Sequence, residues 1–496
     1  MNSRYILNHL YRIKDDETRA FILSTVRSKD YPEFVEKEWI SKIHPVIARA
    51  ILQFSEAKQI GQAVESIVRN LNLTMADASY IVDLLLNNSE SYGLKYDDIT
   101  FRIPKNLIIR ESEQKVMPIR YPESFLSQSI GTAVDLKTKR CIKAPFTLVF
   151  MVTDRCVTDC VYCYADKSRK AQYMSLETIE RFVSEAASLS IQKIMLDGGE
   201  VFLHPQWREI LILLKKYQYD VDFISTKMPL SSEDVSFLKE QNVSLQISLD
   251  AVCAADLSRI LNVSRCYRDK ILPFILQLDK QGLDYQISTV LTKFNSNARV
   301  LGEIYDFVSN LSCIKRWQIR PAFRSLYSKE DFDDIKASET DFVEVEKIIK
   351  SLQEKSGMKI NWAGVSDAKY FSCDKGSEYF VGPRCSANVS NLFILPDGKV
   401  TVCEQLYWSP YFIIGDLNVQ GIEEIWKSDK SLSLAYPKRS DFTESSNCKR
   451  CKIFDECIGF SNRCYADIIK AYGWEHRDYP DPRCCFAPCF THELRT

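Results

Sequence analysis

The stretch MVTDRCVTDCVYCYAD, residues 151 to 166, holds three cysteines, Cys156, Cys160 and Cys163, separated by three and then two residues. A [4Fe–4S] cube has four irons, and proteins usually hold each iron with one thiolate. Three thiolates from one short loop leave one iron with an open position, the property that separates catalytic metal sites from structural ones. The alternative is a structural zinc ion with a fourth ligand from elsewhere, although paired CxxC knuckles are the usual zinc pattern.

The composition bounds the class of protein. The chain has 496 residues, 45% hydrophobic and 26% charged, which is ordinary for a globular protein and favours two to four domains. Its net charge of -1 provides no basic field for nucleic acid or anionic membrane. The N-terminus lacks the apolar segment of a signal peptide, and no apolar run approaches the ~20 residues that span a bilayer. We therefore expect a cytoplasmic protein with neither nucleic acid nor membrane as a partner.

The 17 cysteines take their meaning from that compartment. In a reducing cytosol, closely spaced cysteines are more often metal ligands than disulfide partners. Ten of them lie between Cys373 and Cys489, and the whole chain has only five histidines. All-sulfur sites, zinc or iron–sulfur, therefore fit better than His-rich zinc or copper sites.

Between residues 144 and 325 six apolar runs alternate with amphipathic helical segments. This alternation predicts an α/β fold in which parallel strands are joined by helical crossovers. Six units make a partial (β/α)6 TIM-like barrel, and such sheets bind ligands at the carboxyl ends of their strands. The cysteine stretch follows the first run directly, so it falls at the expected active-site end. The runs are residues 146–152, 191–197, 221–226, 243–250, 283–291 and 316–322.

Four segments are expected along the chain. Residues 1–115 have the pattern of a mostly helical, winged-helix-like domain with a short sheet, in which Thr74 and Asp77 resemble a helix start. Ser175 is a plausible N-cap for a helix of the barrel segment. The other segments are the partial barrel at 116–325, a charged helical bridge at 326–372 and a cysteine-rich region at 373–496.

The spacing Cx3CxΦC, with Tyr162 at the aromatic position Φ, resembles the signature of the radical S-adenosylmethionine (SAM) enzymes. The resemblance implies that Cys156, Cys160 and Cys163 hold a [4Fe–4S] cluster whose open iron is chelated by the amino and carboxylate groups of SAM. It also implies that an electron from the cluster breaks the sulfur–C5′ bond of SAM. The resulting 5′-deoxyadenosyl radical abstracts a hydrogen atom from the substrate.

Further matches stand at the ends of the other predicted strands. Gly198, Gly199 and Glu200 resemble the segment that holds the SAM amino group, since glycines permit close backbone approach and a carboxylate accepts from an ammonium. The SxD…DxxR stretch of peptide-modifying members is similar to Ser248–Arg259, which implies that the arginine pairs with the SAM carboxylate. For the serines and the leucine in the full set, ordinary packing is the alternative. The set of expected SAM contacts is Tyr162, Gly198, Gly199, Glu200, Ser225, Ser248, Arg259 and Leu291.

The later cysteines resemble the SPASM extension of radical SAM enzymes, which usually carries two auxiliary [4Fe–4S] clusters. One implied ligand set is Cys385, Cys403 and Cys464, with Cys373 as the fourth ligand or with one iron left open. The other set is Cys448, Cys451, Cys457 and Cys484, with Cys485 and Cys489 as competitors for the last place. The spacing before Cys464 is longer than the family form, which we interpret as a loop insertion. Zinc is the alternative for this region.

These resemblances imply a peptide-modifying radical SAM oxidoreductase. The N-terminal domain favours a maturase of a ribosomally made precursor peptide that forms a thioether or carbon–carbon crosslink. An electron donor such as flavodoxin or ferredoxin would serve it, and the leader of the precursor would add as an extra strand at residues 4–8 or 99–109. A sulfatase maturase and a non-catalytic iron–sulfur or zinc interaction protein are the alternatives. The sequence indicates no catalytic acid or base.

Overall fold

A computed structural model describes most of the chain. No helix in the part it describes is long and apolar enough to cross a membrane. The predicted ligand Cys373 lies outside the described residues. These residues are 3–96, 99–122, 125, 134–166, 173–355, 357–363, 385–460, 463–489 and 491–494.

The N-terminal region folds around its own hydrophobic core, which includes Leu7, Ile22 and Ile51. Its three-stranded antiparallel sheet has the order β2 (Tyr11–Asp15), β3 (Ala20–Ser24), β4 (Ile40–Ile43). Three helices follow: α1 (Pro45–Leu52), α2 (Ile60–Leu71) and α3 (Met75–Leu86). Thr74 caps α3 as expected, because its hydroxyl accepts a hydrogen bond from the backbone N–H of Asp77 at 3.1 Å.

This region contains more strand than the mostly helical prediction allowed. The additional strands are β1 (Tyr5–Leu7), β5 (Tyr92–Tyr96), β6 (Ile99–Ile103) and β7 (Ile108–Arg110). β5 pairs with β6 and β1 pairs with β7, both antiparallel. On its other side β1 bonds to the chain after α1, with Tyr5 N–H donating to the Lys58 carbonyl at 2.8 Å and Leu7 N–H to that of Phe54 at 2.7 Å.

The pairing of β1 corrects one expectation about the leader peptide. A strand can be added only to an edge with free backbone groups. Both edges of β1 are already hydrogen-bonded, so residues 4–8 do not offer an edge for an extra strand. The pattern of these residues predicted a strand correctly, but its long-range partners could not be read from it.

All six strands predicted for the central region are confirmed. They run parallel within two sheets, β8 beside β9 in one and β10 to β13 in sequential order in the other. Most of their residues are buried in one large core, as expected for strands covered on both faces. The strands are β8 (Thr147–Thr153), β9 (Lys193–Gly198), β10 (Phe223–Thr226), β11 (Ser244–Ser248), β12 (Tyr285–Leu291) and β13 (Ile314–Pro321).

Helical crossovers separate these strands, as the alternation predicts. Ser175 caps the first of them, accepting a hydrogen bond from the Thr178 N–H at 3.1 Å. The helices are α4 (Leu176–Ser188), α5 (Trp207–Lys216), α6 (Ser232–Glu240), α7 (Ala254–Leu261), α8 (Arg268–Gln281) and α9 (Ala298–Val308).

The parallel sheets extend into both later segments. The expected bridge contains α10 (Phe332–Ile335) and α11 (Glu339–Lys355), but it also contains β14 (Ile360–Trp362), which pairs parallel with β13. The first strand of the cysteine-rich region, β15 (Asn391–Ile394), pairs parallel with β8. The cysteine-rich region is therefore joined to the central region through the backbone, on the strand that leads into the cysteine stretch.

The rest of the cysteine-rich region is built from short elements. Two antiparallel strands continue the sheet beyond β15, namely β16 (Lys399–Thr401) and β17 (Ile413–Asp416). Four helices complete it: α12 (Ile422–Lys427), α13 (Asp429–Ala435), α14 (Phe454–Phe460) and α15 (Tyr465–Tyr472). Most of its cysteines lie in the loops between these elements or at their ends.

Candidate active site

The three cysteines of the opening stretch lie in a loop directly after β8, here called the cysteine loop (residues 154–166). The thiols of Cys156, Cys160 and Cys163 are free. The Thr158 hydroxyl lies 3.5 Å from the Cys156 sulfur and 3.2 Å from the Cys160 sulfur, so one hydroxyl connects two thiols. Cys163 N–H donates to the Cys160 carbonyl at 3.0 Å. The loop therefore collects three sulfur ligands and no competing oxygen or nitrogen ligand of the kind zinc often takes.

Backbone hydrogen bonds hold the cysteine loop to the end of α7. Asp159 N–H donates to the Leu261 carbonyl and Val161 N–H to the Ile260 carbonyl, both at 3.0 Å. Carbonyls at a helix C-terminus have no partner within the helix, so the loop satisfies them. The conformation of the loop is thus set by main-chain contacts that do not depend on a bound cluster.

The Gly-Gly-Glu segment after β9 holds the other side of the cysteine loop. Gly199 N–H donates to the Thr153 carbonyl at 2.8 Å, and Glu200 N–H donates to the Arg155 carbonyl at 2.7 Å. A Cβ on Gly198 would lie 2.3 Å from the Thr153 oxygen, and one on Gly199 would lie 2.2 Å from the Arg155 oxygen. Gly198 also has a φ of 139°, which disfavours other residues. The close approach served by these glycines is therefore to the cysteine loop itself.

Glu200 is almost completely buried, with 1% of its surface exposed. Its carboxylate accepts a hydrogen bond from the Thr226 hydroxyl at 2.9 Å and one from the Lys227 N–H at 3.0 Å. Burial raises the pKa of this carboxyl, while the two donors oppose the shift. Each carboxylate oxygen retains a further acceptor position. The carboxylate is thus oriented by β10 and can accept from one more donor, such as an ammonium.

Tyr162 is linked to the end of the fourth parallel strand. Its hydroxyl donates to Asp250 at 2.5 Å, and Asp250, which is fully buried, also accepts from the Val290 N–H at 2.8 Å. Burial and the Asp250 carboxylate raise the pKa of Tyr162 well above its ordinary value. The aromatic residue of the signature therefore connects the cysteine loop to β11 and β12, a role its sequence position alone did not indicate.

Lys227 is a basic residue that the sequence analysis missed. Its ammonium lies 5.8 Å from the centre of the Tyr162 ring. Burial opposes its charge, but the neighbouring Cys160 and Asp250 raise the pKa of Lys227 on balance. Its position directly after the third parallel strand was the available signal, because only Ser225 was considered there. Lys227 is thus a second cation, besides Arg259, near the expected SAM carboxylate.

The remaining predicted SAM contacts are spread around this end of the sheet. Ser225 accepts a hydrogen bond from the Gln246 amide at 3.1 Å, and Ser248 is 9% exposed at the end of β11. Leu291 is fully buried in the main core, where packing accounts for its side chain. Arg259 is exposed on α7, with its guanidinium 3.9 Å from the centre of the Phe294 ring. Contacts of these four residues with SAM stay predictions.

A group of acidic and aromatic side chains lies between the cysteine loop and the cysteine-rich region. Tyr164, which follows Cys163, packs with Tyr407 in a small cluster of buried side chains. Burial and the nearby Asp197 raise the pKa of Glu404 to about 7, while Arg320 opposes the shift. Asp197 in turn raises the pKa of Tyr164. Residues adjacent to Cys163 and Cys403 therefore meet around Asp197, in a space here called the acidic chamber (Tyr164, Asp197, Arg320, Glu404 and Tyr407).

The cysteines expected to hold the first auxiliary cluster line one cavity. Cys385, Cys403 and Cys464 surround a space of about 610 Å³, which includes its open mouth. A hydrogen bond from Cys464 lowers the pKa of Cys385. The Cys464 N–H donates to Asp481 at 2.9 Å. The expected loop insertion before Cys464 thus does not keep this cysteine from the other two.

The second expected set lines a neighbouring cavity of about 550 Å³, again with its mouth. Cys448, Cys451, Cys457 and Cys484 contribute their side chains, together with apolar residues such as Phe442 and Phe454. Cys457 and Arg463 line both cavities. The Arg463 guanidinium lies 3.7 Å from the Cys448 sulfur.

Both cavities have the soft, all-sulfur donor sets that suit iron–sulfur clusters, in which each thiolate binds a different iron. Among the residues that the structure describes, no three His, Cys, Asp or Glu side chains are placed to hold a single metal ion. Of the competitors for the last place, Cys485 is disulfide-bonded and Cys489 is an exposed free thiol. The choice of Cys484 as a ligand stays a prediction.

Two family models match the chain. The model of the radical SAM superfamily matches residues 150–307, which include the cysteine loop and the Gly-Gly-Glu segment. The model of the iron-sulfur cluster-binding domain named SPASM matches residues 385–452, which include Cys385, Cys403, Cys448 and Cys451.

Three known proteins illustrate what the chain is similar to. The structure of Streptococcus suis SuiB bound to precursor peptide SuiA superimposes with a TM-score of 0.65 at 15% identity, covering 97% of this chain and 100% of SuiB. GTP 3',8-cyclase of Clostridium perfringens is 25% identical over 307 residues, 59% of this chain and 90% of the cyclase. The subtilosin biosynthesis protein AlbA of Bacillus subtilis is 31% identical over 113 residues, 22% of this chain and 25% of AlbA.

Proposed function

We propose that this radical SAM enzyme, which carries a C-terminal SPASM domain, is a maturase that abstracts a hydrogen atom from a ribosomally made precursor peptide and forms a thioether or carbon–carbon crosslink. The observation that carries the proposal is the acidic chamber. In it, residues that directly follow ligands of two different predicted clusters surround Asp197. A substrate side chain held there would be adjacent both to the SAM site and to the first auxiliary site.

Each part of the SAM site has an assigned role. Enzymes of this superfamily require a [4Fe–4S] cluster and SAM, and SPASM domains bind auxiliary iron–sulfur clusters. Cys156, Cys160 and Cys163 would hold the first cluster, which with bound SAM supplies a 5′-deoxyadenosyl radical. Glu200 would accept from the SAM ammonium, and Lys227 or Arg259 would face its carboxylate.

The chamber residues would act on the substrate. Tyr164 and Tyr407 are apolar over most of their surface and exclude water from the reacting side chain. Forming a bond between two peptide side chains releases a proton after the hydrogen atom has left. Asp197 and Glu404 are placed to accept that proton, and Arg320 balances the resulting charge.

A peptide substrate is supported from outside the chamber as well. The N-terminal region has a small sheet followed by three helices and a hairpin, the architecture of a winged-helix-like recognition domain. SuiB was solved in complex with a precursor peptide, and AlbA belongs to the biosynthesis of a bacteriocin. We extend both properties to this chain as part of the proposal. An electron donor such as flavodoxin or ferredoxin would supply the reducing equivalents.

The direct test is the mass of a candidate precursor. The chain is co-expressed anaerobically with a short open reading frame encoded beside its gene, and the peptide is analysed by mass spectrometry. Each crosslink lowers the peptide mass by ~2 Da, since two hydrogen atoms leave when one bond forms. A precursor that keeps its mass and its stereochemistry with the wild-type chain, but not with a known maturase of its own, would contradict the proposal.

The match to GTP 3',8-cyclase favours a second candidate, a small-molecule cyclase. Incubation of the reconstituted chain with GTP, SAM and dithionite separates the two. The maturase proposal predicts that GTP does not change the rate of 5′-deoxyadenosine formation. A GTP-dependent increase with consumption of GTP would support the cyclase instead.

A further inference from the structure

A large groove separates the N-terminal region from the outer surface of the central sheets. It encloses about 3420 Å³, its open mouth included. One wall is formed by His9, Arg12 and the chain after α1, and a second by the extended residues 115–122. The third wall consists of the ends of α4 and α5 with the loops after them, at Ser188, Gln192 and residues 215–220. We call this space the interdomain groove.

The groove lies far from the candidate active site. Its third wall immediately precedes β9 and β10 in the chain, so it stands at the amino ends of the parallel strands. The cysteine loop and the Gly-Gly-Glu segment follow the carboxyl ends of the same sheet. β9 has six residues, about 20 Å of extended chain. A molecule bound in the groove therefore does not contact the acidic chamber.

The lining of the groove is strongly basic in a chain of nearly zero net charge. Seven of the lining residues are lysine or arginine, and two are acidic. Arg27, Lys215 and Lys216 form ion pairs with Asp30, Asp220 and Glu180. The other four form no ion pair with any carboxylate that the structure describes; they are Arg12, Lys58, Lys115 and Arg120.

Arg12 supplies an independent sign of an anionic ligand. It is buried, with 4% of its surface exposed, and its guanidinium donates to the carbonyls of Ile191 at 2.5 Å and Gln218 at 3.4 Å. Its Nε has no hydrogen-bond partner within the described part of the chain. A buried charge without a counter-charge is costly, and a carboxylate in the groove would remove that cost.

The size and the apolar part of the lining restrict the ligand class. Pockets for small molecules occupy roughly 300–1,000 Å³, so a single small anion would leave most of the groove empty. Nucleic acid binding relies on phosphate contacts by a continuous basic surface, whereas here the charges alternate with apolar side chains. These are Val26, Leu52, Val116, Met117, Pro118, Ile119 and Ala187. A peptide with both acidic and apolar side chains matches this combination.

We propose that the interdomain groove binds an acidic, partly apolar stretch of the peptide substrate and anchors it while another part enters the acidic chamber. The identity of this peptide as the substrate rests on the proposed function. Since the groove and the active site lie at opposite ends of the sheet, at least about six extended residues must separate the anchored stretch from the modified one. This location replaces β1, whose edges are occupied, as the docking site.

Fluorescence anisotropy with a synthetic probe tests the groove without any turnover. The probe is a fluorescein-labelled peptide of four Glu-Glu-Leu repeats, titrated with the full chain at low salt. We expect the double variant Lys58→Glu/Arg120→Glu to bind it at least about tenfold more weakly than the wild type. The matched control Lys347→Glu/Lys350→Glu carries the same charge change on the exposed face of α11 and should change the affinity less than about twofold.

Three results would overturn the groove proposal. They are equal affinity of the groove variant and the control, equal binding of a Lys-Lys-Leu probe, and tighter binding of a single-stranded RNA of the same charge. SAM cleavage without peptide reports folding, and it should be unchanged in the groove variant because the groove does not touch the SAM site. A groove that binds the probe in a chain that modifies no precursor would refute the proposed function and leave the groove assignment standing.

Discussion

The cysteine loop and the cysteine-rich region bring thiols together in different ways. In the loop, three cysteines come from one short stretch that main-chain hydrogen bonds hold against α7 and the Gly-Gly-Glu segment. In the cysteine-rich region, ligands distant in sequence meet across cavities lined by apolar side chains. The first site is preorganised by backbone, whereas the second depends on loops that a cluster would hold together. The two should therefore respond differently to mutation.

The largest effect is expected from Gly199→Ala in the first site. The added Cβ would lie 2.2 Å from the Arg155 carbonyl oxygen, so the backbone contact to the cysteine loop must break. We expect 5′-deoxyadenosine formation to fall at least about 1,000-fold, a loss of roughly 4 kcal/mol in transition-state stabilisation. The control Gly302→Ala places its Cβ in open space and should retain wild-type activity. Near-normal activity of Gly199→Ala would mean that the backbone does not preorganise the loop.

A smaller and different effect is expected from Cys403→Ala in the second site. It removes one thiolate from the first auxiliary cavity without touching the SAM site. Peptide modification should fall about 100-fold, while SAM cleavage without peptide stays within about threefold of the wild-type rate. Product mass spectrometry and 5′-deoxyadenosine quantification measure the two quantities. Parallel loss of both would show that the two sites are not independent.

Glu200→Gln tests the polar part of the first site. The amide keeps the size of the side chain but removes the charge that we expect to accept from the SAM ammonium. Because hydrogen bonds to charged groups contribute about 1 kcal/mol more than neutral ones, the KM for SAM should rise about tenfold. Glu344→Gln, on the exposed surface of α11, is the matched control. An unchanged KM for SAM would remove Glu200 from the binding site.

Thr158→Val should have the smallest effect. The hydroxyl lies within hydrogen-bonding distance of the Cys156 and Cys160 sulfurs, and the isosteric valine removes that contact. Hydrogen bonds to cluster sulfurs favour the reduced state, so the midpoint potential should become more negative and SAM cleavage should slow about two- to fivefold. A potentiometric titration followed by electron paramagnetic resonance measures the shift. A more positive potential would contradict this reading of the hydroxyl.

The first site was largely predictable from sequence because its chemistry is local. Cys156, Cys160 and Cys163 are close in the chain, and the strand before them has a clear apolar pattern. The partner of Tyr162 was not predictable, since Asp250 reaches it only through the pairing of β11 with β12. The same holds for β14 and β15, because strands of three and four residues give little periodic signal.

The interdomain groove lay wholly beyond sequence reasoning. Arg12 has the pattern of an ordinary strand residue, and its burial follows from how the N-terminal region packs on Ile191 and Gln218. The basic character of the groove likewise arises from residues far apart in the chain. Net charge averaged over the whole sequence conceals such a local concentration.

The central claim, that three thiolates of the cysteine loop hold a cluster separate from the later ones, is tested most directly by Cys156→Ala. The variant and the wild type are purified anaerobically, and iron content and 5′-deoxyadenosine formation are measured on the same samples. If each cluster is a full cube, we expect about 8 of about 12 iron atoms to remain and SAM cleavage to disappear. Loss of all iron, or retained SAM cleavage, would contradict the account.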